Sequence, residues 1–136
     1  MIKSEAQIEK DVYDLLVDYL KTIITGNVYK SGCRPVDAVT EDAVISVSNA
    51  SADQIQVGHV YVNIYVPDVD NGNGYVPDKV RITELSAVHE DLCDYMTSVS
   101  NDEYLFTPGR AAQSIEEPDI RQHFVSMDIR FERITL

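Results

Sequence analysis

Two stretches of the chain carry residue types that could do chemistry. The first, Pro67-Asp-Val-Asp-Asn-Gly-Asn-Gly-Tyr-Val-Pro-Asp78, gathers carboxylates, amides and two glycines in the manner of a calcium loop. An EF-hand frame needs oxygen ligands at its first, third and fifth positions, a glycine at the sixth for the sharp turn, and a bidentate Glu at the twelfth. Counting from Asp68 puts Asp70 third, but Gly72 fifth, Asn73 sixth and Lys79 twelfth; counting from Asp70 puts Gly72 third. Asp68, Asp70, Asn71 and Asn73 are the candidate oxygens, yet the frame lacks its glycine and its closing Glu. The expectation is a polar strand-to-helix connection with no metal, whose Asn-Gly pairs tolerate positive φ.

The second stretch, His89-Glu-Asp-Leu-Cys93, is close to the helical H-E-x-x-H of zinc proteases, in which two ligands one turn apart hold the metal and the Glu acts as base. Cys93 stands where the second His would be, and His59 and His123 are far away in sequence. His89 is therefore expected at an interfacial helix edge and Cys93 as a small residue beside the core. A metal-binding module or hydrolase built on the 68–73 loop or on His89 and Cys93 stays open as an alternative reading.

No G-x-S-x-G elbow, Walker A loop or strand-linked G-x-G-x-x-G is present, and Asn71-Gly-Asn-Gly74 lacks the Lys that would hold a phosphate. Glu41-Asp42, Glu90-Asp91 and Glu116-Glu117 are adjacent pairs, which a strand or helix aims apart, so they read as solvated surface. Neither a catalytic residue nor a cofactor is expected.

The elements that would position these groups follow from patterning. A chain of 136 residues with 44% apolar side chains is the size of one domain and carries enough for a core. Two cysteines are too few for a disulfide framework, and the start MIKSEAQIEK has no secretory apolar segment, which predicts an intracellular, reduced protein. No apolar run approaches the roughly 18 residues of a membrane span, so a soluble protein without a membrane partner is expected. With 11 basic against 23 acidic residues, a net charge of −12 argues against a phosphate-binding surface and hence against sequence-specific nucleic-acid binding.

Ser4-Glu-Ala-Gln7 reads as a capping box opening a helix. Ile8, Val12, Leu15, Leu16, Tyr19, Leu20 and Ile23 give it one apolar stripe, with its end placed near Gly26-Asn27. Val28–Lys30 and Ala43–Val47 are strand candidates separated by a loop, and Asn49 to Asp53 reads as a turn. Ile55 to Val66 is the strongest strand signal: Val60, Val62, Ile64 and Val66 point one way, and His59, Tyr61, Asn63 and Tyr65 the other. The second set fits either a partner surface or the underside of the protein's own helices.

Asp78 is a plausible N-cap for one helix running to Ser98, with Ile82, Leu85, Val88, Leu92, Met96 and Val99 at helical spacing. Tyr104-Leu-Phe106 leads into a 107–121 loop, and Gln122 to Leu136 alternates as a long strand, Val125, Met127, Ile129 and Phe131 against Ser126, Asp128, Arg130 and Glu132. The order helix, strands, helix, strands lacks βαβ alternation, so the predicted fold is α+β: a mainly antiparallel sheet with two amphipathic helices on one face.

The helix closing at Gly26-Asn-Val-Tyr29, the strand Val60-Tyr-Val-Asn-Ile-Tyr-Val66, a second helix and the terminal strand around His123-Phe-Val-Ser-Met-Asp-Ile129 together give an element order and length over most of the chain that resembles the tail-terminator or tail-completion (head–tail joining) proteins of long-tailed bacteriophages and prophages. The resemblance implies a non-enzymatic virion protein, assembled in the bacterial host cytoplasm. It also implies a homo-oligomeric ring, often of six, that caps the tail tube, meets the tail tube protein and the head–tail connector, and passes DNA through its lumen. Acidic lumen walls would repel phosphate and let DNA slide. On that expectation the subunit interface draws on Tyr61, Asn63 and Tyr65 of the strand, Asp68, Asp70, Asn71, Asn73 and Tyr75 of the following connection, and Arg110 of the 107–121 loop. That connection exceeds the usual length of about 2 to 6 residues, long enough to reach a neighbour or a channel.

Overall fold

The computed structural model describes residues 1–134. Helix α1, Glu5–Lys21, begins at the predicted capping box: Ser4 accepts from the Gln7 N–H and the Gln7 side chain accepts from the Ser4 N–H. It buries Ile8, Val12, Leu16 and Leu20. It ends at Thr22 rather than near Gly26. Gly26 instead lies against the chain entering the second strand. Its N–H donates to Glu41 O at 2.9 Å, and a Cβ there would lie 2.4 Å from that oxygen.

Strands β1 (Val28–Lys30), β2 (Ala43–Ser48) and β3 (Ile55–Pro67) follow, β1 parallel to β2 and β2 antiparallel to β3. The connection after β3 is not a plain loop. β4 (Val69–Asp70) and β5 (Tyr75–Val76) pair as a small hairpin with Gly72 at φ 94° and Gly74 at φ 146°, values that explain both glycines.

Helix α2 (Lys79–Ser86) has the predicted Asp78 cap, whose Oδ1 accepts from the Arg81 N–H at 3.2 Å. The expected single helix to Ser98 is broken, and α3 spans His89–Val99. At the break the N–H groups of Ala87 and Val88 reach back only three residues, to Glu84 and Leu85, while the Ser86 hydroxyl donates to Ile82 O at 2.7 Å. Such back-bonding bends helices.

β6 (Tyr104–Pro108) and β7 (Gln113–Glu117) both pair antiparallel with β8 (Gln122–Ile134), so the expected 107–121 loop holds a strand and the 3₁₀ turn Pro118–Ile120. Residues 109–112 interrupt the β6–β7 edge as a bulge opposite Met127 and Asp128. The main sheet runs β1-β2-β3-β8-β6, with β7 continuing the β6 edge. The fold is α+β with a mainly antiparallel sheet, as the patterning predicted.

β3 and β8 carry the core. Val60, Val62, Ile64, Val125, Met127, Ile129 and Phe131 are all fully buried, and they form one cluster with the apolar stripes of the three helices.

Just before β2 the chain buries Glu41 and Asp42, contrary to the solvated surface expected of that acidic pair. Asp42 accepts from Arg34 Nε at 3.0 Å, the Asn27 N–H at 2.8 Å and the Thr40 hydroxyl at 2.8 Å. Glu41 takes both forks of Arg81, at 2.6 and 2.8 Å. A buried carboxylate survives only when paired and hydrogen-bonded, and here its partners arrive from loop and helix.

Candidate functional site: the open face of the sheet

Strand alternation leaves the second face of β3 and β8 without a helix. His59, Tyr61, Asn63 and Tyr65 stand on it half-buried, opposite Arg130, Asp128, Ser126 and Phe124 respectively. The helices lie on the other side, so of the two readings of this tyrosine face, burial under the chain's own helices is excluded.

The rings cover one another. His59 stacks on Tyr61 with centroids 6.1 Å apart, Tyr65 meets Phe124 at 5.2 Å, and the Arg34 guanidinium lies 4.1 Å from the Tyr65 centroid. Burial raises the Tyr65 phenol pKa above its ordinary value, aided by the Glu117 charge and opposed by Arg34. Ile55, Leu105, Ile115 and Ile134, all exposed, share this face by strand register. Asn63 sits at its centre between Val44 and Ser126, and its Oδ1 is buried without a hydrogen-bond partner, alone among the described side-chain atoms.

Asp128 ties this face to the bulge. Its Oδ1 accepts from His59 Nδ1 at 2.7 Å, and its Oδ2 from the Arg110 N–H at 3.3 Å. Its backbone oxygen accepts from the Gly109 N–H and from His89 Nε2, each at 2.8 Å. Gly109 is required there, since a Cβ would lie 2.7 Å from the Asp128 carboxyl carbon. The Arg110 side chain has no partner among the described residues and borders a cleft of about 460 Å³ with His89, Glu90 and Asp91.

The hairpin residues divide. Asp68 points inward and pairs with His123 Nδ1 at 2.7 Å, so it is not a surface group. Asp70 and Asn71 accept from the N–H groups of Gly72 and Asn73, closing the turn on itself. Asn73 and Tyr75 are exposed, and the Arg121 guanidinium lies 4.3 Å from the Tyr75 centroid. Arg121 holds a left-handed φ of 54°, a strained conformation for that residue type.

The four candidate calcium oxygens thus do not converge. Among the described residues no group of three His, Cys, Asp or Glu side chains is placed to hold a metal. His89 spends Nε2 on Asp128, and Cys93 is buried, which pushes its thiol up to about 12, with Asp94 and Glu90 adding to the rise. A thiol held protonated is a poor zinc ligand.

Tyr61, Asn63 and Tyr65 therefore come together as predicted, with Arg110 at the rim and Tyr75 on the separate hairpin. His59, which alternation had already placed on this face, joins them, as do Phe124, Asp128 and Arg34, whose sequence context did not mark them as site residues. Phe124 had a signal, being an aromatic in phase with Ser126, Asp128 and Arg130; Arg34 lies in a loop and had none.

The molecule is an α+β protein with one sheet face covered by helices and one open. No family model and no curated protein matches it. Among solved structures, a chain whose designation names no activity is similar at 17% identity and a TM-score of 0.49, over 96% of this chain and 95% of that one. Such a likeness fixes neither family nor function. No helix among the described residues is long and apolar enough to cross a membrane.

Proposed function

We propose that this chain is a non-enzymatic structural protein of a phage or prophage tail, acting as a ring-forming subunit in tail completion and head–tail joining. The observation that carries the reading is the open sheet face. Its rings, with Ile115 beside Phe124, and the exposed Ile55, Leu105 and Ile134 beyond the Arg130–Glu132 ion pair supply apolar, hydroxyl-bearing patches of the kind that protein interfaces favour. The tail tube protein and the head–tail connector are the further partners. Acidic groups left facing the lumen would repel phosphate and keep DNA mobile.

The test is size-exclusion chromatography with light scattering, together with negative-stain imaging at high protein concentration and with tail tubes added. Rings that cap tubes are the expected outcome. A chain that stays monomeric at every concentration and never joins a tube overturns the proposal.

A further inference from the structure

We infer that Asn73, at the tip of the β4–β5 hairpin, is a site of covalent self-modification: it cyclises onto the Gly74 backbone nitrogen and ends as aspartate and isoaspartate. This chemistry belongs to the turn alone and does not depend on ring assembly.

The hairpin holds two Asn-Gly pairs, Asn71-Gly72 and Asn73-Gly74, and each residue of both is exposed. A following glycine leaves its amide nitrogen without a Cβ to hinder approach to the Asn carboxamide, and it lets the backbone turn into the geometry of attack. In the reaction the Gly74 nitrogen gives its proton to water or hydroxide and bonds to Asn73 Cγ. The Cγ–Nδ2 bond breaks, and the side-chain nitrogen leaves as ammonia. Water then opens the cyclic imide at either carbonyl, giving aspartate or, with the chain rerouted through the side chain, isoaspartate.

As dipeptides the two pairs are equal; the fold separates them. Asn71 is held at both reacting groups: its Oδ1 accepts from the Asn73 N–H at 3.0 Å, and the Gly72 N–H that would attack it donates to Asp70 Oδ1 at 2.8 Å. The Asp70 carboxylate also opposes loss of that proton, since an amide anion beside it would be a second like charge. Among the described residues neither the Asn73 carboxamide nor the Gly74 N–H has a hydrogen-bond partner. Nor is Gly74 crowded, since a Cβ built on it would meet nothing within 4 Å. Asn73 is therefore free to rotate toward its neighbour's nitrogen, whereas Asn71 must first break two hydrogen bonds, which slows it about tenfold or more.

Conversion adds a carboxylate to a tip that already holds Asp70. The isoaspartyl form also inserts a methylene into the backbone between Asn71 and Gly74, where the Asn71 N–H donates to Gly74 O at 3.0 Å, and so disturbs the closure of the hairpin.

The test is incubation of the folded protein in warm, mildly alkaline buffer, followed by peptide mapping with mass spectrometry. The expected product is a peptide heavier by about 1 Da at Asn73, eluting as separate aspartyl and isoaspartyl forms. Asn71 should lag by about tenfold or more. The isoaspartyl form is diagnostic of the cyclic imide, since direct hydrolysis gives aspartate alone. In guanidinium chloride, where the turn's hydrogen bonds are gone, the two sites should react at equal rates. No reaction at Asn73, equal rates in the folded protein, faster reaction at Asn71, or aspartate without isoaspartate overturns the inference. The same lag in denaturant also overturns it, because neighbouring residues rather than the fold would then set the order.

Discussion

Asp42→Ala should be among the most damaging single substitutions in the chain. The Asp42 side chain has 0% exposure and that of Arg34 9%, so neither charge finds water if its partner is removed. Truncation removes the carboxylate that balances the guanidinium charge and the acceptor of Arg34 Nε, the Asn27 N–H and the Thr40 hydroxyl, while Arg34 Nη2 keeps its bonds to Thr40 O and Gln122 Oε1. Breaking a buried ion pair from one side costs about 3–5 kcal/mol, a large part of the roughly 5–15 kcal/mol that holds a domain folded. With a urea m-value of about 2 kcal/mol/M, the midpoint of unfolding followed by circular dichroism should fall by roughly 2 M. Arg34→Met with Asp42→Leu should lose less than the sum of the two single variants, since the double removes both charges at once. A midpoint shift below about 0.3 M, equivalent to about 0.6 kcal/mol at that m-value, would refute the claim that this pair is sealed from solvent.

Three further outcomes are expected. Cys33 is exposed and Cys93 buried, so a thiol reagent should label Cys33 in the native protein and Cys93 only on unfolding; equal rates would refute the burial argument. Burial pulls the Glu103 carboxyl upward, but hydrogen bonds from Lys3 and Arg133 outweigh it and leave the pKa below the usual carboxylate range. A depressed pKa gives stability that is present above the unfolded value and lost as pH falls through the folded one, so Glu103→Gln should flatten the acid limb of the stability profile below about pH 4, and an unchanged limb would count against the cluster. Asn63→Leu removes an orphaned amide oxygen at the centre of the open face; thermal unfolding should show a stability unchanged or raised by about 1 kcal/mol, whereas a loss of about 2 kcal/mol or more would mean the amide is satisfied.

The covered half of the molecule was legible because its signals are periodic. The capping box at Ser4 and the alternation in Ile55–Val66 and after Gln122 are local, and their structural outcomes followed. What was lost depends on contacts distant in sequence. Glu41 is buried because Arg81, 40 residues on, reaches it with both forks, and nothing in Glu41-Asp42 as a dipeptide announces that. The helix break at Ala87 was hidden because Ile82, Leu85, Leu92 and Met96 keep facing the core on both sides of it. β7 reads Gln-Ser-Ile-Glu-Glu, polar and without clean alternation, and becomes a strand because β8 offers it a pairing edge.

The open face was half visible for a related reason. Period-2 alternation fixes which residues leave the core, but not whether anything covers them. That depends on how much helix the chain has, and α1, α2 and α3 suffice for one face only. A bare face of Leu and Ile would favour aggregation wherever the chain met another. This one is dressed at its centre with Tyr61, stacked on His59, and Tyr65, packed on Phe124, while tyrosine hydroxyls hydrate readily. Arg34 roofs Tyr65 and is itself anchored by the buried Asp42, so this part of the face is held in shape. A surface ordered in advance has less side-chain entropy to lose on docking. The buried polar network before β2 and the aromatic row on β3 are therefore linked through Arg34: the first holds the guanidinium over Tyr65, and the face stays ordered and tolerable in water.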